Sequence, residues 1–465
     1  MITSFYNKGK YILLLLAVSI SCKKAIDFTP SDTIDATKAY RNLSDINLGL
    51  IGAYAGLGYT DITNTSLVSD ECMLPTENAT GGGVATHRWQ YDGSNGTITA
   101  AFPENYIAID RINKVLKAID EVPSSSSESD LKERYRGELL ALRAYCHFEL
   151  IRNFASRYQT GALGLPYMET SVISSPSRPA FEATIAKIKA DLATAKTLIP
   201  ASFTDRTRIT KNAIPAMQAR VALYEKNWNE AITYSGEAIN LLPLATKTQF
   251  PDIWKDKNEA EVFWKLKRAT SAEGLLGNFY FNTNNTVLYA PSFKLLNLYD
   301  KANDIRFSSY IKIDNTRGAG KTPNIVVKYV GGSSTLNLAD VKLYRTGEMY
   351  LIRAEAYAET NKLAEAAGDI NTLRAARITG YATQTFASLS DLLAAVYTER
   401  FKELAFEGHR FFDLRRRNYN VVRDPADAIN ALGAVLLTPS QAQYAFPLPD
   451  SEIKVNKNMV QNPNY

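Results

Sequence analysis

The stretch that decides the fold reads Glu399-Arg400-Phe401-Lys402-Glu403-Leu404-Ala405-Phe406-Glu407-Gly408-His409-Arg410-Phe411-Phe412-Asp413-Leu414-Arg415-Arg416. Its apolar positions recur with the period of an α-helix, and carboxylates and guanidinium groups stand between them: Phe401, Leu404, Ala405, Gly408 and Phe412. Such a helix needs paired charges, because the planar fork of arginine matches a carboxylate with two parallel hydrogen bonds. The pattern alone predicts an amphipathic helix with a salt-bridged flank.

Helical periodicity dominates the rest of the chain as well. The predicted helices are residues 37–57, 102–119, 131–154 and 181–199, followed by two pairs with short joints, 210–224 with 228–242 and 344–359 with 362–377. Paired helices of this size resemble tetratricopeptide units of about 34 residues. A long insertion separates the two pairs, so we expect an interrupted helical scaffold rather than a continuous solenoid.

The insertions differ in composition from the helices. Residues 60–99 are rich in Gly, Asn, Thr and Asp, and residues 244–339 mix turn residues with the strand-like segments 261–267 and 325–330. We predict a mainly α fold, a helical body with tetratricopeptide-like helix pairs, irregular loops and a few short strands. No low-complexity linker divides the chain, so residues 22–465 are predicted to form one unit.

Residues 1–21 have the layout of a signal peptide. Lys8 and Lys10 precede the apolar run 11–20, which is too short to span a bilayer. Cys22 follows a small residue at the end of this run, as in a lipoprotein processing site, so we expect its thiol to carry a lipid anchor. The alternative is an ordinary signal peptide with an incidental cysteine. No later run is long and apolar enough to cross a membrane.

The charge balance argues against a nucleic-acid partner. Without residues 1–21 the chain has 51 basic and 48 acidic side chains, a net charge of +3. Nucleic-acid binders usually carry a concentrated basic patch. The dense cluster Arg415-Arg416-Arg417 lies at the end of the predicted helix, where cations stabilise the helix C-terminus.

Cysteine and histidine usage gives no sign of a metal site, and no cofactor is predicted. Cys72 and Cys146 stand alone in the sequence, which leaves open whether they form a disulfide. The histidines are scattered: His87, His147 and His409. Whether a calcium ion orders one of the Asp- and Asn-rich loops is equally open.

Nothing in the sequence predicts a catalytic residue. Motifs of metalloproteases, serine hydrolases and nucleotide-binding loops are missing from the sequence. A glycosidase carboxylate pair is set by the fold rather than by sequence spacing, so that alternative stays open. For Glu399, Glu403 and Glu407, which recur every four residues among arginines, pairing is the simpler role.

Several further blocks follow one another in the order of a known family. They are Cys22-Lys23-Lys24-Ala25-Ile26-Asp27-Phe28-Thr29-Pro30, the run from Glu138 to Phe154, Gly164-Leu165-Pro166-Tyr167, Arg345-x-x-Glu348-x-Tyr350 and Phe446-Pro447-Leu448-Pro449. With the opening stretch, they resemble the SusD/RagB family over essentially the whole chain. The family's members are surface lipoproteins of Bacteroidetes that capture nutrients, mostly glycans, and pass them to a TonB-dependent channel. The resemblance implies a helical body, a SusC-like channel partner and a lipid-anchored position at the outer membrane, facing the cell surface.

Ligand residues vary within that family, so the candidates come from chemistry. Sugars present flat apolar faces edged with hydroxyls, which suit aromatic rings beside amides or carboxylates. Two loop regions offer such groups: Asp70, Glu71, Trp89 and Tyr91 in the first, and Trp254, Tyr280 and Asn282 in the second. The alternatives are a loop anchor for Trp89 and Tyr91, and core packing for Trp254.

We therefore predict a non-catalytic lipoprotein that captures an oligosaccharide and delivers it to an outer-membrane channel. One alternative is a helical-repeat scaffold for protein–protein interaction. Another is an uptake subunit that binds a peptide or a glycoprotein fragment.

Overall fold

The computed structural model describes residues 39–465, and helices dominate it, which confirms the predicted mainly α fold. The predicted signal peptide and Cys22 lie outside the described residues. In chain order the helices are α1 Leu43–Ala55, α2 Thr60–Val68, α3 Val84–His87, α4 Gly96–Thr99, α5 Ala101–Glu121, α6 Ser129–Phe154, α7 Phe181–Leu198, α8 Ala213–Glu225, α9 Trp228–Leu241, α10 Phe250–Ile253, α11 Phe293–Leu296, α12 Ile305–Tyr310, α13 Thr346–Glu359, α14 Leu363–Arg377, α15 Leu389–Glu403, α16 Arg410–Arg416 and α17 Asp450–Val455.

Short strands pair into small antiparallel sheets. The pairs are β1 Cys72–Met73 with β3 Ala290–Pro291, β2 Val262–Leu266 with β6 Val341–Arg345, β4 Ile311–Ile313 with β5 Asn324–Val326, and β7 Val421–Val422 with β8 Leu436–Leu437. Trp264 in β2 is fully buried and meets Tyr145 edge to face, with 4.8 Å between the ring centres. The sheet β2–β6 thus pairs a strand of the long insertion, residues 244–339, with the strand that follows it, and holds both against the helical body.

The helices stack in series. Successive helices α5 to α9 pack each on the next, and α9 packs directly on α13, which contacts α14 and α15. The joints of both predicted pairs turn through left-handed residues, Lys226 with φ 59° and Asn361 with φ 59°. The insertion between α9 and α13 therefore interrupts the sequence of the helical stack but not its packing.

The stretch 399–416 is not one helix, so that part of the prediction is wrong. Helix α15 ends at Glu403, and α16 begins at Arg410. Between them Phe406 and Gly408 adopt left-handed backbone angles, with φ 65° and 80°. A Cβ atom on Gly408 would lie 3.2 Å from Ile62 Cγ1, so a larger residue would crowd α2 and would also adopt a strained positive φ. Tertiary contact overrides the helical period here.

The predicted loop region 60–99 contains helices α2, α3 and α4, so it is more ordered than its composition indicates. Cys72 and Cys146 are buried and free. No helix within residues 39–465 has both the length and the apolar character to cross a membrane.

Candidate functional site

The two loop regions that the sequence nominates for ligand binding meet in one layer. Strand β1 of the first region pairs with β3, which follows the second. The Tyr289 hydroxyl donates to the Gly82 carbonyl at 2.7 Å and links the regions again. We call residues 70–92 together with residues 276–292 the joined loop layer.

Trp89 and Tyr91 anchor this layer to the body. The Trp89 side chain is 8% exposed, its indole N–H donates to the Val68 carbonyl at 2.9 Å, and the Arg423 guanidinium lies 4.3 Å from its ring centre. The buried Tyr91 donates its hydroxyl hydrogen to the Gln443 carbonyl at 2.6 Å. Neither ring offers a free face to a sugar in this structure, and the loop-anchor interpretation describes both positions.

Trp254 and Tyr280 are equally enclosed. Trp254 is 2% exposed, and the Lys328 ammonium lies 4.2 Å from its ring centre. The Tyr280 hydroxyl lies 2.9 Å from the Ser66 hydroxyl, deep in the body. Asn282 is half-buried, and its side-chain oxygen accepts two backbone N–H groups of its own turn. These placements favour packing for Trp254 and a turn-forming role for Asn282.

Asp70 and Glu71 are buried neighbours with opposite electrostatic surroundings. Burial opposes the charge on Asp70, but contacts from Arg410 at 2.6 Å and Lys294 at 2.8 Å outweigh it and hold the Asp70 pKa at about 2. Burial raises the pKa of Glu71 to about 7, against a hydrogen bond of 3.2 Å from the Phe406 N–H. Both carboxylates therefore tie the layer to the turn between α15 and α16.

The carboxylates of the opening stretch are also engaged by protein. Glu403 contacts Arg345 and Arg377 at 3.0 Å and Arg306 at 3.2 Å. Burial alone would raise the Glu403 pKa, but the three guanidinium groups hold it far below its usual value. Glu399 and Glu407 are likewise buried and paired, with Arg306 and Lys328 among their partners. Their oxygens face cations and not a cavity, so the structure assigns these carboxylates to internal pairing.

A cleft of about 840 Å³ opens beside the end of the first loop region. Three separate segments form it: the start of α5, the stretch from Pro166 to Pro176, and the C-terminal segment from Pro449 to Met459. We call it the tail cleft. Its volume lies within the range of small-molecule binding sites.

Apolar and aromatic groups line the tail cleft. Phe102 and Tyr106 lie one helical turn apart on α5, with 4.9 Å between their ring centres, and Met168 and Met459 add flexible apolar surface. The Tyr106 hydroxyl donates to the Pro166 carbonyl at 3.1 Å, which holds the ring against the second segment. The lining is thus set before any ligand arrives.

The polar groups on the rim of the cleft differ in whether they have hydrogen-bond or ion-pair partners in the protein. Asp110 pairs with Lys114 at 2.6 Å. The exposed Arg111 side chain lies beside Gly56 at the end of α1 and makes no hydrogen bond or ion pair with residues 39–465. Ile107 also lines the cleft and is 53% exposed, an unusual position for isoleucine on a helix.

Sequence reasoning missed this cleft. The period of α5 places Phe102 and Tyr106 toward the body, and both are largely enclosed there. Ile107 and Arg111, four residues apart, lie on the outer side of the helix. An apolar residue on a polar helix face was the one available signal, and it says nothing about the two distant segments that complete the cleft.

Comparison with known families gives two matches. The model of the SusD family matches residues 324–465. A second model, described as starch-binding associating with outer membrane, matches residues 40–223.

Individual relatives agree over the full length of the chain. SusD-like protein P25 of Formosa agariphila is 23% identical, and the match covers 97% of each chain. A crystal structure of a SusD superfamily protein from Bacteroides thetaiotaomicron superposes with a TM-score of 0.80 at 21% identity, over 91% of this chain and 100% of that one. A laminarin binding SusD-like protein superposes with a TM-score of 0.70 at 20% identity, over 92% of this chain and 100% of its own. These structures share the fold described above.

Proposed function

This chain belongs to the SusD/RagB family, and we propose that it captures an oligosaccharide in the tail cleft and delivers it to a TonB-dependent outer-membrane channel. The observation that supports the binding site is the cleft itself, about 840 Å³ in volume, with Tyr106 in its lining and, on its rim, an arginine that makes no ion pair within residues 39–465. The laminarin binding relative supports a saccharide as the ligand class.

The lining of the cleft suits a sugar. A pyranose ring has apolar C–H faces that pack on aromatic and aliphatic surface, as the half-buried Tyr106 and the exposed Ile107 provide, and hydroxyls that take hydrogen bonds at the edge. Arg111 can donate several such bonds, and Asp110 and Glu452 can accept them. Proline residues in both outer segments limit the conformational freedom lost on binding.

Titration of the purified protein with a panel of neutral oligosaccharides, laminarin fragments among them, tests this proposal. Arg111→Ala is expected to raise the Kd for the bound glycan at least tenfold, about 1.4 kcal/mol, because the variant loses the hydrogen bonds that the guanidinium donates to sugar hydroxyls. Lys117→Ala is the matched control, since Lys117 is exposed on the same helix and does not line the cleft. Equal affinities for both variants would contradict the site.

The bound glycan is released unchanged in this proposal. Glu399, Glu403 and Glu407 are enclosed by cations, which is unlike the open carboxylate pair of a glycosidase. Incubation of the protein with its ligand is expected to leave the chain length of the glycan unaltered. Appearance of shorter products at a rate proportional to protein concentration would overturn the assignment.

Anchoring through Cys22 follows from the signal layout. We expect Cys22→Ser to move the protein from the outer-membrane fraction to the soluble fraction and to abolish uptake of the glycan, while the isolated protein keeps its affinity. A soluble protein-interaction scaffold would instead keep its function without the lipid.

A surface for the channel partner is available on the β7–β8 hairpin. Exposed apolar side chains cluster there: Val422, Ile429, Leu432, Val435 and Leu436. Leu432 is 71% exposed, and apolar groups gathered in this way usually mark an interface. Leu432→Asp is expected to reduce co-purification with the channel, while Leu48→Asp, at an exposed position of helix α1, should leave it intact.

A further inference from the structure

A second cavity, of about 520 Å³, is lined by basic side chains. It lies where the end of α6, the joint after α8, the end of α16 and the C-terminal segment meet. Arg157, Lys226, Arg415 and Arg416 line it, and among residues 39–465 no Asp or Glu side chain does. The space far exceeds the roughly 30 Å³ that one water molecule occupies in the liquid. We call it the basic cavity.

Two of these cations have no partner in the part of the chain that the structure describes. The side chains of Arg157 and Lys226 are exposed and make neither a hydrogen bond nor an ion pair with residues 39–465. Most other basic side chains around the body are paired; neighbouring Lys189, for example, contacts Glu225 at 2.9 Å. Arg157 and Lys226 therefore present hydrogen-bond donors that suit a negatively charged ligand.

Arg415 adds charge from beneath the cavity. Its guanidinium donates to the Arg152 carbonyl at 3.0 Å, to the Ser156 carbonyl at 3.3 Å and to the Tyr158 hydroxyl at 2.8 Å. These partners are dipoles and not carboxylates, so its charge is not cancelled. Arg416 differs, because Glu355 contacts it directly.

The opposing negative charge is too small to neutralise the site. Helices α6, α8 and α16 end near the cavity, and each C-terminus contributes roughly half a negative charge. Together these dipoles offset about half of the three positive charges on Arg157, Lys226 and Arg415. Glu182, which accepts the Gly161 N–H at 2.9 Å, is exposed and screened by water. A net positive potential remains.

We propose that the basic cavity binds the sulfate or carboxylate group of an acidic saccharide. The free Arg157 guanidinium matches the planar or tetrahedral oxygens of such a group, and Lys226 contributes a second charge. Gln159, Gln441 and Asn464 line the same cavity. The Gln441 amide oxygen accepts the Thr438 N–H at 2.7 Å and the Asn464 amide donates to the Ser440 carbonyl at 3.2 Å, and the remaining amide groups can bond sugar hydroxyls. The oxyanion site stands on its own geometry, whereas the saccharide class rests on the proposed function.

Calorimetric titration with glucose 6-sulfate, glucuronate, inorganic sulfate and neutral glucose tests this site. The two acidic sugars are expected to bind, more weakly as the NaCl concentration rises, and glucose is expected not to bind. Arg157→Gln and Lys226→Asn should each weaken acidic-sugar binding at least tenfold. Asparagine suits the left-handed φ of 59° at position 226, so the second variant keeps the joint intact.

Lys255→Asn is the matched control, because Lys255 is exposed in a turn, makes no ion pair with residues 39–465 and lies outside the cavity. Unchanged affinity in both Arg157→Gln and Lys226→Asn would overturn the proposal. Inorganic sulfate that binds as tightly as glucose 6-sulfate would overturn the saccharide class. Neutral oligosaccharide binding, measured on the same variants, reports on the tail cleft separately, so failure of one site is distinguishable from failure of the other.

Discussion

The joined loop layer and the tail cleft both contain aromatic and polar side chains but differ in how much apolar and polar surface they leave exposed. In the loop layer Trp89, Tyr91 and Tyr280 are buried, and each polar group named above has a protein partner. In the tail cleft Ile107 is exposed and Arg111 has no partner within residues 39–465. Aromatic content alone therefore does not identify a binding site.

The difference lies in what satisfies the polar atoms. A buried polar group without a partner is costly, so a loop that packs against the body must find its hydrogen bonds inside the protein. A surface that binds a ligand leaves its hydrogen-bond donors in contact with water until the ligand is bound. On this view the loop layer is scaffold and the cleft is the binding surface, and the following changes should affect one region and spare the other.

The largest effect is expected from Glu403→Gln. This substitution removes a carboxylate that Arg345, Arg377 and Arg306 share. It leaves the buried cluster one negative charge short, with Glu261, Glu399 and Glu407 as the remaining partners. We expect the free energy of unfolding to fall by about 3–5 kcal/mol, measured by urea denaturation.

Glu169→Gln serves as the control for Glu403→Gln. Glu169 pairs with Lys187 at 3.0 Å, but both side chains are about half exposed. Such a surface pair contributes less than about 1 kcal/mol. Similar losses of unfolding free energy in the two variants would mean that the buried ion-pair network stabilises the fold no more than a solvated pair does.

Glu71→Gln is expected to change how stability depends on pH. Burial raises the Glu71 pKa in the folded protein to about 7, so its contribution is fully present below the unfolded value of 4.5 and is lost as the pH rises through 7. Asp70 behaves in the opposite way, because its lowered pKa means that stability is lost only as the pH falls toward 2.

The glutamine variant lacks this titration and should gain about 3 kcal/mol relative to the parent protein between pH 4.5 and pH 8. Lys328, whose pKa burial lowers to about 7, is present in both proteins, so its own titration largely cancels. Denaturation curves at several pH values give the difference. Parallel profiles for the two proteins would show that Glu71 titrates as it does in water.

Trp89→Phe should have a smaller effect, and only on stability. The variant loses the hydrogen bond to the Val68 carbonyl and weakens the contact with Arg423, a cost of about 1–2 kcal/mol. Glycan affinity should stay within a factor of about two of the parent protein. A large rise in the Kd for the glycan without loss of stability would instead show that Trp89 contacts the ligand, as the sequence predicts.

The sequence predicts the long helices well because each has a continuous apolar face. The predicted 102–119 and 131–154 correspond to Ala101–Glu121 and Ser129–Phe154. The break after Glu403 escaped prediction because Leu404 and Ala405 continue the helical period. Only contacts from distant residues impose the turn, such as the Tyr329 hydroxyl that donates to the Phe406 carbonyl at 3.0 Å.

The proposed binding surface is harder to predict from the sequence than the fold. The tail cleft joins α5 to segments near Pro166 and Pro449, and no local pattern shows that they meet. The loop aromatics gave a strong local signal, but whether a tryptophan is an anchor or a platform depends on what packs over it. For Trp89 that is Arg423, more than three hundred residues along the chain.

The most direct test of the account compares glycan affinity in Ile107→Asp and Leu48→Asp. Both replace an exposed aliphatic residue on a helix, 53% and 64% exposed, and each should change the free energy of unfolding by no more than about 0.5 kcal/mol. Only Ile107 lines the tail cleft. Ile107→Asp is expected to weaken binding of the captured oligosaccharide at least tenfold, while Leu48→Asp should bind it normally. Normal affinity in both variants would place the ligand outside the tail cleft.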